Sequence, residues 1–329
     1  MIRPQLAGRP GVLCRRVVIV NRQLKAIPEV LRAARVDMAH PSRLAVESAI
    51  RSLARTLEML RRDVPAGIRE CRDPGSVAAL AESDTLAAHA VDEFVMWLDG
   101  DVLPHADGAW VMGADVYARW LTATTGDRTP LDQLRARAAR ELEMLSAPDT
   151  GAATERADSL RAAIADSMLE ARASRGLRTV LGRRELAWGW APFALRVRAM
   201  SRRASTAEAP RFTPSRLDLA ATIAEIDLQT GAATFDEARE RLERNAGLDS
   251  LAADREARVA ALAPVRAAAT VTTWQLEDLR SEVASGLGTR FQPQAFLTAV
   301  IHEGAVPVVA FRETVLRRLR AASAAPRTP

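Results

Sequence analysis

Apolar residues recur along this chain at spacings of three and four, and alternating runs are scarce. Between Leu44 and Arg62 the apolar positions Leu44, Ile50, Leu53, Leu57 and Leu60 share one helical face, and Asp63-Val64-Pro65 reads as the stop. A second helix is predicted from about Gly75 to Asp99, carrying Leu80, Val91, Phe94 and Leu98. The stretch Leu103–Ala114 holds Pro104, Gly108 and Gly113 and reads as a connection. Helices follow over Ala114–Thr124 and Pro130–Leu145, the latter opened by Thr129-Pro130, with proline at the first helical position.

Ser146–Arg156 is small and polar and reads as a loop, followed by helices over Ala157–Gly176 and Leu186–Arg203. Ser201–Pro214 is the most linker-like internal segment. Four further helices are predicted over Ser215–Gln229, Phe235–Ala246, Ser250–Ala261 and Thr270–Ser285, then one after Pro293 and one from Pro307 to about Arg320. The pattern predicts an all-α, multi-helix bundle with little or no β, and one plausible strand at Val17–Val20. It is read as a single helical domain over residues 1–320, with possible internal junctions at 146–156 and 201–214 and a disordered tail over 321–329.

Composition changes this picture little. Apolar residues make up 48% and charged residues 26% of 329, an ordinary globular balance. No apolar run approaches the roughly 20 residues that cross a bilayer, so no membrane partner is expected. The patch at Val17–Val20 is too short for a signal-peptide core, and the expected location is cytoplasmic. The net charge of +5 invites a nucleic-acid reading. However, Lys25 is the only lysine, and the arginines are interleaved with acids, as in Arg135–Glu143 and Arg239–Arg244. That is the pattern of solvated helix faces with i,i+4 pairs, and no nucleic-acid partner is expected. Cys14 and Cys71 form neither a disulfide framework nor a metal knuckle and read as two reduced thiols.

Four stretches carry a resemblance. They are RQLKAIPEVLRAARVDMAHP (Arg22 to Pro41), FVMWLDGDVLPHADGAWVMGADVYARWL (Phe94 to Leu121), ATFDEARERLERNAGL (Ala233 to Leu248, after Leu228-Gln229-Thr230-Gly231) and LGTRFQPQAFLTAVIHEGAVPVVAF (Leu287 to Phe311). In this order they resemble the bacterial domain-of-unknown-function family 885. The resemblance implies a mostly helical fold and an ancestry among zinc-dependent peptidases, whose catalytic helix carries a His-Glu…His-His motif.

The chemistry of that ancestry is missing here. Hydrolytic zinc needs three protein ligands and an open position for water. By the resemblance, the catalytic helix falls between Met144 and Trp188, an interval without histidine. The next ligand, a glutamate before Gly-Trp-Ala, falls on Trp188, with Glu185 three residues earlier. The family's Asp-x-Gly-Leu-His falls on Glu225, Asp227, Leu228 and Gln229, so that glutamine stands where the histidine would be, and a later tyrosine position is Thr270. His302-Glu303 begins like a zinc-helix signature, but the second histidine would be at 306, which is Val306. His40, His89 and His105 show no i,i+3 or i,i+4 spacing. No metal and no cofactor are therefore expected.

The six tryptophans, Trp97, Trp110, Trp120, Trp188, Trp190 and Trp274, read by default as core. Trp188 and Trp190 lie where the resemblance places the metal site and are the candidate pocket lining. The expected function is that of a degenerate, non-catalytic peptidase-like protein binding a small molecule, peptide or protein in a remnant cleft. The alternative is a metal-independent enzyme with repurposed acid/base chemistry, with Glu225, Asp227, Gln229 and Glu185 as its candidate residues. The reading leans away from an enzyme and leaves the oligomeric state open.

Overall fold

A computed structural model of the chain describes residues 12–69, 71, 73–145, 186, 189, 193, 213–304 and 306–324. Among these the protein is helical throughout and contains no strand. It divides into two compact units, Met1–Trp110 and Val111–Pro329.

In the first unit, α1 (Val12–Asp37), α2 (Arg43–Ile68) and α3 (Pro74–Trp97) form a three-helix set in which α3 packs on both others and runs parallel to α1. The strand expected at Val17–Val20 is instead part of α1. Val17, Val20, Leu24, Ile27 and Leu31 repeat at three and four, and they pack with Met59, Leu60, Leu80 and Val91, so the longer helical period overrides the short β-branched run. The stop at Asp63-Val64-Pro65 is also overridden, because α2 continues through Pro65 to Ile68. An internal proline costs about 3 kcal/mol. Burying Val64 and Ile68 in that core returns roughly 1.5–3 kcal/mol each, enough to carry the helix on.

Ser42 caps α2 by accepting from the Ala45 amide, and Asp73 caps α3 by accepting from Ser76, with Pro74 at the first helical position. α3 ends in a π-helical turn over Leu98–Val102, and a 3-10 turn over Leu103–His105 opens the predicted connection. Gly108 then passes so close to the backbone at His40 that a Cβ would sit 1.8 Å from its carbonyl oxygen.

The second unit is built around α6 (Arg216–Thr230). Every residue from Leu219 to Gln229 is buried. A helix with no polar face must be covered on all sides, and α6 is packed by α4 (Ala114–Thr125), α5 (Leu131–Glu143), α7 (Phe235–Ala246), α8 (Ser250–Leu262) and α9 (Arg266–Leu287). Capping boxes start α6 at Ser215/Asp218 and α7 at Thr234/Glu237. Gly231 and Gly247 end them at φ 75° and 68°. α9 is longer than the predicted Thr270–Ser285 at both ends.

α10 (Pro293–Glu303) and α11 (Arg312–Ala324) close a second core with α9, centred on Leu276, Phe296, Val300, Phe311 and Val315. α11 continues to Ala324, past the start of the expected disordered tail. The loop at 146–156, the helix at 157–176, most of the helix at 186–203 and most of the linker at 201–214 lie outside the described residues.

Candidate functional site

α9 begins without a capping side chain of its own, since Val265 precedes it and offers no acceptor. Its orphan amides are met from α6. One carboxylate oxygen of Glu225 accepts from the backbone N–H of Val265 and Arg266, both at 2.8 Å. The other accepts from Ala267 N–H at 3.2 Å and from the Tyr117 hydroxyl of α4 at 2.6 Å. Glu225 is thus a helix cap supplied from a neighbouring helix, and its negative charge faces the positive end of the α9 dipole. Its complete burial pushes its pKa up to about 7, while the Tyr117 hydroxyl and the three amides pull the other way. Burial and the adjacent carboxylate together push the Tyr117 hydroxyl well above its ordinary value.

Two residues on, Asp227 points elsewhere. Each residue of an α-helix turns about 100°, so 225 and 227 lie on nearly opposite faces, while 225 and 229 share one. Asp227 is held by Arg135 of α5 in a two-pronged pair, Nε to Oδ1 at 2.6 Å and Nη2 to Oδ2 at 2.9 Å, and by Arg241 of α7 through Nη1 at 2.9 Å. The hydrogen bond to Asp227 raises the Arg135 pKa further. Gln229 is equally committed. Its Nε2 donates to the carbonyls of Ala260 and Ala261 at 2.8 and 2.7 Å, and its Oε1 accepts from Met112 N–H at 3.2 Å. The sequence candidates Glu225, Asp227 and Gln229 are therefore three separate joints: α6 to α9 and α4, α6 to α5 and α7, and α6 to α8.

On the Asp227 side, a cavity of about 440 Å³ opens between α5, α6 and α7, lined by Arg135, Ala139, Leu142, Arg216, Ile223 and Arg241, with Glu143 and Asn245 at its edge. Arg216, Ile223 and Asp227 form one stripe of α6. By their sequence pattern, Arg135–Glu143 and Arg239–Arg244 are expected to be solvated faces. The pairs Arg137–Glu141 and Arg239–Glu243 fit that reading, whereas Arg135 and Arg241 turn inward to a carboxylate 92 and 14 residues away. Only the buried acid on α6 could have flagged them, since an ionised carboxylate on an otherwise apolar helix demands cationic partners.

A model of bacterial proteins of unknown function, DUF885, matches residues 15–185, just over half of the chain. The chain belongs to this family. The match includes two of the four stretches on which the resemblance rested, Arg22–Pro41 and Phe94–Leu121; the other two lie beyond it. No functionally curated protein matches the chain. Two solved structures share the fold. One is a provisionally assigned lipoprotein of unknown function from Shewanella oneidensis, at 12% identity and a TM-score of 0.57, covering 95% of this chain and 80% of its own. The other is a provisionally assigned lipoprotein from Colwellia psychrerythraea, at 12% identity and a TM-score of 0.59, covering 97% and 78%.

Within this DUF885 chain, Glu185, Trp188 and Trp190 lie outside the described residues. Gly189, between the two indoles in sequence, packs on α9 so closely that a Cβ would come within 2.2 Å of the Ala269 carbonyl oxygen, and its own carbonyl accepts from Thr273 at 3.0 Å. His40 and His89 are exposed beside Asp107 and Glu93. His302 is exposed at the end of α10, and Glu303 is buried in a pair with Arg318 at 3.0 Å.

Among the described residues, those at the resembled positions do not fit a zinc ion. At the position of the resembled histidine, Gln229 spends its amide on three backbone groups, Thr270 accepts from Thr222, and among the described residues no three His, Cys, Asp or Glu side chains converge. The reduced-thiol expectation is corrected at Cys71, which is disulfide-bonded. The side chain of Cys14 lies outside the described residues.

Proposed function

We propose that this DUF885 protein is a non-catalytic descendant of a peptidase-like scaffold that acts by binding a small molecule, peptide or protein. The observation that carries this reading is the saturation of α6. Glu225, Asp227 and Gln229, the candidate residues for repurposed acid/base chemistry, spend their polar atoms on neighbouring helices. A general base must reach a substrate proton within about 3 Å, and Glu225 has no exposed surface from which to do so. The test is turnover of a mixed peptide library with and without added zinc. No turnover is expected in either case, and zinc-stimulated turnover abolished by a chelator would sink the proposal.

One observation favours the enzyme alternative. A carboxyl with a pKa of about 7 is tuned to the range of a general acid or base. Metal-independent turnover that disappears in Glu225→Gln would establish it.

The disulfide at Cys71 supports an oxidising compartment over the cytoplasmic expectation, because cytosolic thiols are kept reduced. Cell fractionation of the native protein, with recovery in the cytosol, would reverse that placement.

A further inference from the structure

We propose that the cavity between α5, α6 and α7 is a binding site for a small organic oxyanion, a carboxylate or phosphate head on a short apolar body, held by Arg135, Arg216 and Arg241. The site deepens the binding reading above.

Three guanidinium groups line one cavity, and all three have donors to spare. Arg135 uses Nε and Nη2 on Asp227, and Arg241 uses Nη1, which leaves Nη1 of Arg135 and Nε and Nη2 of Arg241 without an acceptor among the described residues. Arg216 is the decisive member. Its Nη1 and Nη2 donate to the backbone carbonyls of Asn245 and Leu145, and among the described residues no carboxylate pairs with it. Its Nε is shielded from solvent and meets no acceptor among the described residues. A cation anchored by neutral carbonyls, with a dry, unmet N–H, is short of one anionic acceptor.

Shape agrees with that deficit, and the anion is drawn by unmet N–H donors rather than by net charge, since Asp227 and Glu143 lie beside the three guanidinium groups and Glu237 also interacts with Arg241. Asp227 also acts as a strut, because its pairs with Arg135 and Arg241 pin both forks before any ligand arrives, which lowers the ordering cost of binding. Guanidinium forks match the two oxygens of a carboxylate or phosphate. The floor of Ala139, Leu142 and Ile223 is apolar and accepts an aliphatic body. A volume of about 440 Å³ lies within the range of small-molecule sites, roughly 300–1,000 Å³.

Isothermal titration of the full chain with inorganic phosphate and, separately, with sodium butyrate in low-salt buffer tests the site. Saturable binding of at least one probe is expected, weakened about tenfold or more in Arg216→Gln, the cost of one charge-assisted contact. Tighter butyrate binding assigns the site to carboxylates, and phosphate binding alone assigns it to phosphate esters. Because Arg216 also ties down two backbone carbonyls, Ala139→Glu is the second variant. It keeps every present arginine bond and sets an acid against the incoming anion, so binding should vanish in a protein with an unchanged circular-dichroism spectrum. Absence of binding by both probes, or binding unaffected by Ala139→Glu, overturns the proposal. Peptide turnover alongside intact anion binding would refute the non-catalytic reading and leave this site standing.

Discussion

Replacing Glu225 with glutamine should remove a pH dependence from the stability of this protein. The carboxyl titrates near 7 in the folded chain against an ordinary 4.5. Between those values the folded state keeps a proton that the unfolded chain has released. Stability therefore falls as pH rises from about 4.5 to about 7 and levels above, by about 3 kcal/mol at roughly 1.4 kcal/mol per pH unit. The variant cannot titrate and should lack this slope. It carries a cost of its own, because the glutamine amide turns a donor toward backbone N–H groups that now have one good acceptor oxygen instead of two. Stranding a buried donor costs about 1–3 kcal/mol, so the variant should be weaker than the parent by about 1–3 kcal/mol near pH 4.5 and equal to it or up to about 2 kcal/mol stronger above pH 7. Urea melts of both proteins across that range measure the difference, and carboxylates common to both cancel. Parallel curves would refute the reasoning. A parent that gains stability relative to the variant from pH 4.5 to 7 would show that Tyr117 and the three α9 amides outweigh desolvation.

Three further outcomes are expected. Asp227→Asn should lower stability by about 2 kcal/mol in chemical denaturation, since it weakens three charge-assisted bonds to arginines that are themselves 43% and 35% exposed and partly rehydrate; an unchanged midpoint would reduce the pair to a surface contact. Gly189→Ala should cost about 2 kcal/mol by overpacking, because its Cβ would lie 2.2 Å from the Ala269 carbonyl oxygen and 2.9 Å from the Thr272 Cβ, and differential scanning calorimetry would show it as a lowered melting temperature. The sequence holds two cysteines, and with Cys71 disulfide-bonded the denatured, unreduced monomer should titrate no thiol, while two appear after reduction; free thiol before reduction contradicts the bond.

Helical periodicity, proline and glycine placement and capping pairs are local properties, and they made the all-α class and most helix bounds legible. Phe235–Ala246 is found as predicted, because Thr234/Glu237 and Gly247 mark both of its ends within the chain itself. The errors arise where packing energy exceeds a local preference, as at Pro65, carried by the burial of Val64 and Ile68, and at Val17–Val20, absorbed into α1. The candidate site was legible only as residue names. Glu225, Asp227 and Gln229 are neighbours in sequence, but they reach different partners, and those partners come from 14 to 117 residues away. No local pattern says that Arg135 turns inward while Arg137 pairs with Glu141 on its own helix. That choice is made by the buried charge of Asp227, whose desolvation is compensated only by guanidinium groups that the assembled helices bring beside it.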